Sequence, residues 1–126
     1  MTAAYVDTSC LVAIALGERG SAALARRLEK FGELCASNLL EAELRAALAR
    51  EGIAPETDLL SWISWVIPDR PLSAEFGRVL IAGRVRGADL WHLASALYLA
   101  EEPARLPFLT LDDRQRTVAR AVGFPV

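Results

Sequence analysis

Cysteine, lysine and histidine are nearly absent from this 126-residue sequence, which has two cysteines and one each of the others. Cys10 and Cys35 lie inside apolar runs with no C-x-x-C spacing, which excludes a zinc ribbon or redox motif and predicts buried core thiols. Long hydrophobic runs are missing too. The stretch Cys10 to Leu16 is far too short to span a bilayer, and Met1 to Asp7 has no basic leader, so no membrane segment and a cytoplasmic location are expected. No Pro-, Gly- or Ser-rich linker and no repeat divides the chain, so a single domain over 1–126 is expected. Its Ala, Leu and Val supply a core without a disulfide or structural zinc.

Excess positive charge is also lacking. The formal charge is -2, with Lys30 the only lysine among 14 basic residues. A protein that grips a nucleic-acid backbone ordinarily wants a basic face, so charge alone argues against that role. The conflict softens if several carboxylates cluster on a divalent cation, because the remaining surface is then net positive.

What the sequence does contain is short apolar runs alternating with helical patterns. Ala3 to Val6 reads as a buried strand, and Asp7-Thr8-Ser9 turns the chain into a helix from Cys10 to Leu16. Ser21 caps a helix to Phe31, and Leu34 to Ala36 is a second strand. Asn38, with Glu41 three residues on, forms a capping box for a helix to about Glu51. Pro55 opens a helix through Trp62 and Trp65, and Val66-Ile67 is a third strand. Ser73 opens a helix to about Gly83. The helix from Ala88 to about Ala100 is apolar almost all round and belongs in the middle of a domain. Phe108 to Leu111 is the last strand, and Asp112 caps a helix to Val122. This alternation predicts an α/β fold, a three-layer α/β/α sandwich on a short parallel sheet, with ligands outside the carboxyl ends of its strands.

Two strands end alike, in Tyr5-Val6-Asp7 and Leu109-Thr110-Leu111-Asp112, so Asp7 and Asp112 meet if the strands are parallel neighbours. Each has an ordinary structural account as a helix N-cap. Glu43 is harder to explain. At 100° per residue it interrupts an apolar arc formed by Leu39, Leu40, Ala42, Leu44, Ala46, Ala47 and Leu48, whereas Glu41 falls beside Arg45 at the polar edge. A carboxylate against the core costs energy unless paired or metal-bound. Asp89 opens the most apolar helix and aims its charge at whatever lies there. His92, one turn later, reads as a hydrogen-bonded core residue rather than a ligand. Acids converging without cysteine or a second histidine select hard cations such as Mg²⁺ or Mn²⁺, which suit phosphodiester hydrolysis.

These residues resemble the PIN-domain nucleases, and within them the VapC-like toxins of toxin–antitoxin pairs. The matching stretches are Tyr5 to Ser9, Ser37 to Arg45, Ala88 to Ala94, and Leu109 to Asp113 followed by Ala121-Val122-Gly123. The resemblance covers nearly the whole chain. It implies a metal-dependent endoribonuclease with Asp7, Glu43, Asp89 and Asp112 as the catalytic and Mg²⁺- or Mn²⁺-binding acids, Ser9 and Thr110 in support, and Asp113 as a helper at the fourth position. It also implies an RNA substrate, an antitoxin protein as partner, and a homodimer. The family's spacing from Ser37 favours Glu43 over Glu41, in agreement with the helical wheel. The alternatives are a PIN-like nuclease in RNA processing and a PIN-like module that only binds a partner. A receiver domain would resemble the chain only with a lysine after a late strand, a haloacid-dehalogenase phosphatase would need Asp-x-Asp, and a Ser-His-Asp hydrolase lacks its nucleophile elbow at Ser9.

Overall fold

The structure, a computed structural model, describes residues 2–54 and 57–126. Four strands, β1 (Ala3–Val6), β2 (Glu33–Ser37), β3 (Ile63–Val66) and β4 (Phe108–Leu109), form one sheet in the order β3-β2-β1-β4, with every pairing parallel. Helices α1 (Thr8–Ala15) and α2 (Ser21–Leu28) join β1 to β2, and α3 (Leu39–Arg50) and α4 (Thr57–Leu60) join β2 to β3. Helices α5 (Ser73–Ala82) and α6 (Gly87–Leu99) then carry the chain back across the sheet to β4, and α7 (Asp113–Val122) follows.

Right-handed crossovers require this reversal to place its helices on the opposite face. The packing agrees, with α1 against α2 and α3, and α5 against α6 and α7. The expected α/β/α layering is therefore present. The strand order reverses between β1 and β4, and a crevice opens beyond their carboxyl ends.

The core is aliphatic with one aromatic stack. Leu11, Leu40, Leu44, Leu48 and Leu93 are buried, and the rings of Tyr5 and Phe108 stack at 5.2 Å on adjacent strands. In α6 the residues from His92 to Leu97 are all buried, as an all-round apolar helix requires. Cys10 and Cys35 are free, buried thiols, and burial pushes both up to about 12, so they stay protonated and inert. Among the described residues, no helix is long and apolar enough to cross a membrane.

Several local expectations fail, each where tertiary pairing or a side chain overrides propensity. The helix expected through Trp62 and Trp65 stops at Leu60, because the chain from Ile63 to Val66 pairs with β2 and Trp65 becomes a strand residue. Pro55 lies outside the described residues. Ile67, expected in that strand, stands outside it and is exposed. The capping box at Asn38 does not form. Asn38 is already helical, its amide binds Glu41, and Ser37 Oγ accepts the Leu39 N–H at 3.1 Å. Ser21 and Ser73 are first helical residues rather than caps. In α3 only Leu40, Leu44, Ala47 and Leu48 are buried, so the apolar arc is narrower than the wheel drew it, and Ala42 and Ala46 face solvent. The last strand is two residues long, because Thr110 Oγ1 accepts the Asp112 N–H at 3.1 Å and turns the chain away.

Candidate active site

Val6 pairs with Leu109, so the residues that leave β1 and β4 emerge side by side. Asp7 is the N-cap of α1, and one of its oxygens, Oδ2, takes three contacts: Ser9 N–H at 3.3 Å, Ser9 Oγ at 2.7 Å and Thr110 Oγ1 at 3.1 Å. Ser9 Oγ in turn accepts the Leu111 N–H at 3.0 Å, which ties the two strand ends together. Asp112 caps α7 in the same manner, its Oδ1 accepting the Gln115 N–H at 2.8 Å.

Thr110 has one proton to give, and the Asp7 carboxylate can only accept. Thr110 therefore donates to Asp7. The fully buried Gln115 amide lies 2.9 Å from the same hydroxyl, whose proton is committed to Asp7, so the amide turns its NH₂ to Thr110 and its nitrogen gains an acceptor. A chain of donors thus runs from Gln115 through Thr110 to Asp7.

Glu43 is held by a second chain. Its Oε1 accepts from Thr8 Oγ1 at 2.7 Å and from His92 Nε2 at 2.7 Å. Since a carboxylate accepts, the proton sits on Nε2, and Nδ1 faces the Tyr5 hydroxyl at 2.8 Å. Tyr5 accepts the Ser37 N–H at 3.0 Å and donates onward to Nδ1, and burial raises its pKa so that it keeps that proton. Burial pushes the Glu43 carboxyl up, but the bonds from His92 and Thr8 outweigh it and hold the group below its ordinary 4.5. His92 is completely buried, which fits the expected hydrogen-bonded core histidine.

Asp89 lies in the first turn of α6 and has no side-chain hydrogen bond or ion pair among the described residues. Burial raises its pKa, and repulsion from Asp7 and Asp112 adds to the effect. All four acids line one open cavity of ≈ 490 Å³, together with Thr8, Ser9, Arg50 and a fifth acid that the sequence reading did not single out, Glu18.

Residues 4–121 match the PIN domain family. The chain belongs to the PIN-domain family. It is similar to Ribonuclease VapC46 of Mycobacterium tuberculosis (strain ATCC 25618 / H37Rv), at 33% identity over 135 aligned positions that take in 100% of this chain and 97% of that protein. No solved structure matched it.

In this PIN domain the acids share a pattern: Asp7, Glu43 and Asp112 each commit one oxygen to the scaffold and leave the other without a hydrogen bond among the described residues. Among those residues, no three acidic, histidine or cysteine side chains stand close enough to chelate a cation as they lie, so the acids ring the cavity rather than close on a point. Their chemistry nevertheless suits a hard cation, since the free donors are all carboxylate oxygens and the carboxyl with no scaffold partner, Asp89, has its pKa raised by burial and further by its neighbours' charge. Asp113, expected as a helper, does not line the cavity; it pairs with Arg116 at 2.6 Å on the surface, with its side chain 93% exposed. Tyr5, Thr8 and Gln115 carry no signal as site residues in the sequence. The nearest clue is a Gln three residues after an N-cap Asp, at a position that the helix buries completely.

Proposed function

We propose that the protein is a divalent-cation-dependent endoribonuclease and the toxin of a toxin–antitoxin pair. In this reading Asp7, Glu43, Asp89 and Asp112 hold Mg²⁺ or Mn²⁺ and act together as the catalytic acids. The observation that carries it is the half-committed state of the carboxylates, fixed in place through one oxygen with the other left toward a shared cavity. The name of the similar protein, Ribonuclease VapC46, supports RNA as the substrate.

When bound, the cation would lower the pKa of an attacking water and neutralise charge building on the phosphate. The protein's own residues do the rest. The Ser9 and Thr110 hydroxyls hold Asp7, His92 and Thr8 fix the rotamer of Glu43, and the Gln115 N–H holds Asp112, so three of the four like charges are kept at set positions before any ligand arrives. With those four acids set aside, 14 basic side chains face the 12 remaining of 16 acidic ones, a balance that accepts a polynucleotide once the cluster is neutralised.

In this reading the chain acts in the cytoplasm as a single-domain homodimer. Its antitoxin inserts an Arg among the carboxylates in a bidentate pair that competes with metal. The purified chain should cleave RNA with Mg²⁺ or Mn²⁺ and stop in excess chelator, and Asp7→Asn should remove cleavage while the protein still melts cooperatively. Expression alone should arrest growth, with relief by the adjacent-gene product. Undiminished cleavage in chelator refutes the metal role. A folded, metal-loaded protein that cleaves no RNA points instead to a partner-binding module, and harmless expression of an active enzyme points to RNA processing.

A further inference from the structure

A second cavity, of ≈ 400 Å³, is lined by Arg84, Val85, Arg86 and Arg114, with no carboxylate in its wall. Of the ten other arginines, four are paired with an acid among the described residues. Arg45, Arg70, Arg105 and Arg116 each sit within 2.9 Å of an acid. Arg84, Arg86 and Arg114 have no ion pair among the described residues, and three guanidiniums around one space repel each other until an anion joins them.

The backbone brings them together through one close approach. A Cβ on Gly83 would stand 2.7 Å from Val118 Cγ2, so glycine alone lets the α5–α6 connection lie flat on α7. That contact sets Arg84 and Arg86 beside Arg114. Arg86 is the N-cap residue of α6, whose first turn holds Asp89, and Arg114 follows by two residues the Asp112 cap of α7. The helix ends that present two of the four acids thus also present the arginines. Arg50, from α3 on the opposite face of the sheet, lines the acid cavity itself.

We propose that the Arg84, Arg86 and Arg114 cavity binds a backbone phosphate of the RNA strand, one that flanks the phosphate being cleaved. The proposal rests on the ribonuclease reading and deepens it. A polynucleotide drawn to the acids by their cation carries further phosphates at fixed spacing on either side, and arginine is the side chain that grips phosphate bidentately. An acidic peptide would meet repulsion from the neighbouring carboxylates.

The test is steady-state cleavage of a single-stranded oligoribonucleotide by Arg84→Gln, Arg86→Gln, Arg114→Gln and the triple variant, at several salt concentrations. All three side chains are exposed, so melting should not change. The triple variant should raise KM about 10-fold or more with kcat nearly unchanged, and lower the salt slope of log(1/KM) by about 0.7, the value for one phosphate on a single strand. A methylphosphonate at the flanking position should produce the same loss in the unaltered protein and add little in the triple variant. Cleavage with unchanged KM and slope overturns this proposal alone. So does a triple variant that cleaves normally but no longer binds the adjacent-gene product, which assigns the cavity to a protein partner. If the unaltered protein cleaves no RNA with metal, the ribonuclease reading fails and this one with it.

Discussion

Replacing Glu43 by Gln separates holding from chemistry at one side chain. The amide keeps a carbonyl oxygen where Oε1 accepts from Thr8 and His92, both at 2.7 Å, so both bonds survive as neutral ones. A charge-assisted bond contributes about 1.5–3 kcal/mol and a neutral one about 0.5–1.5 kcal/mol. The side chain is 33% exposed, which screens the difference, and removing a charge relieves repulsion on Asp89. The net loss should be about 1–2 kcal/mol, a fall in Tm of several degrees that leaves the protein folded. Cleavage should drop by at least about 100-fold, more than a supporting residue would cost, because the free oxygen proposed to hold metal is gone. Glu41→Gln is the control. Glu41 is bound to Arg45 and Asn38 on the surface, and its replacement should leave melting and cleavage as they were. Circular dichroism, calorimetric titration with Mg²⁺ and an RNA cleavage assay read all three quantities. An active Glu43→Gln, or a dead Glu41→Gln, refutes the assignment.

Asp89→Asn should raise the Tm of the metal-free protein at pH 7 while abolishing cleavage. Burial and the charges of Asp7 and Asp112 lift this carboxyl above its ordinary 3.8, so its favourable contribution is full below pH 3.8 and is lost as pH rises through the lifted value. The advantage of the Asn variant should therefore open with rising pH and shrink on adding Mg²⁺, and a variant that melts lower at pH 7 contradicts the repulsion. His92→Ala should cost about 3–5 kcal/mol in urea unfolding, from a cavity plus a Tyr5 hydroxyl proton that loses its acceptor, and weaken Mg²⁺ binding through a loosened Glu43, whereas unchanged stability and affinity would show that the relay holds nothing. Gly83→Ala should destabilise by about 1–3 kcal/mol because its Cβ meets Val118 Cγ2, and Val118→Ala in the same chain should return part of the loss in a double-mutant cycle.

The parts of the site that were legible in the sequence are those with a local signature. An apolar run that ends in Asp marks a strand meeting a helix, and it occurs at Asp7 and Asp112 whatever their neighbours in space. Glu43 was legible because helical periodicity separates it from Glu41 within one turn. The supports were not legible, because each acts across a long stretch of chain: Tyr5 on His92, Thr8 on Glu43, Thr110 on Asp7. Asp113 cannot be told from Asp112 by composition. One residue of register decides which of them caps the helix and lines the cavity and which pairs with Arg116 in solvent. The helix drawn through Trp62 and Trp65 failed for the same reason as the long last strand, since a parallel partner, or a threonine hydroxyl, outweighs intrinsic preference.

Capping and chemistry looked like rival explanations for Asp7 and Asp112, and the geometry makes them one device. Like charges around a single cavity must be held against their own repulsion, and bringing three of them to helix N-termini supplies compensating dipoles: Asp7 at α1, Asp89 in the first turn of α6 and Asp112 at α7. A cap needs only one carboxylate oxygen, so the other remains available at no further structural cost. Glu43, in the body of α3, has no helix end to lean on, and there the imidazole N–H of His92 takes the same place. The lone histidine of the chain thus stands where the fold lacks a dipole. On this argument its replacement should disturb Glu43 far more than Asp7, which lies 3.9 Å from the ring and has three donors of its own.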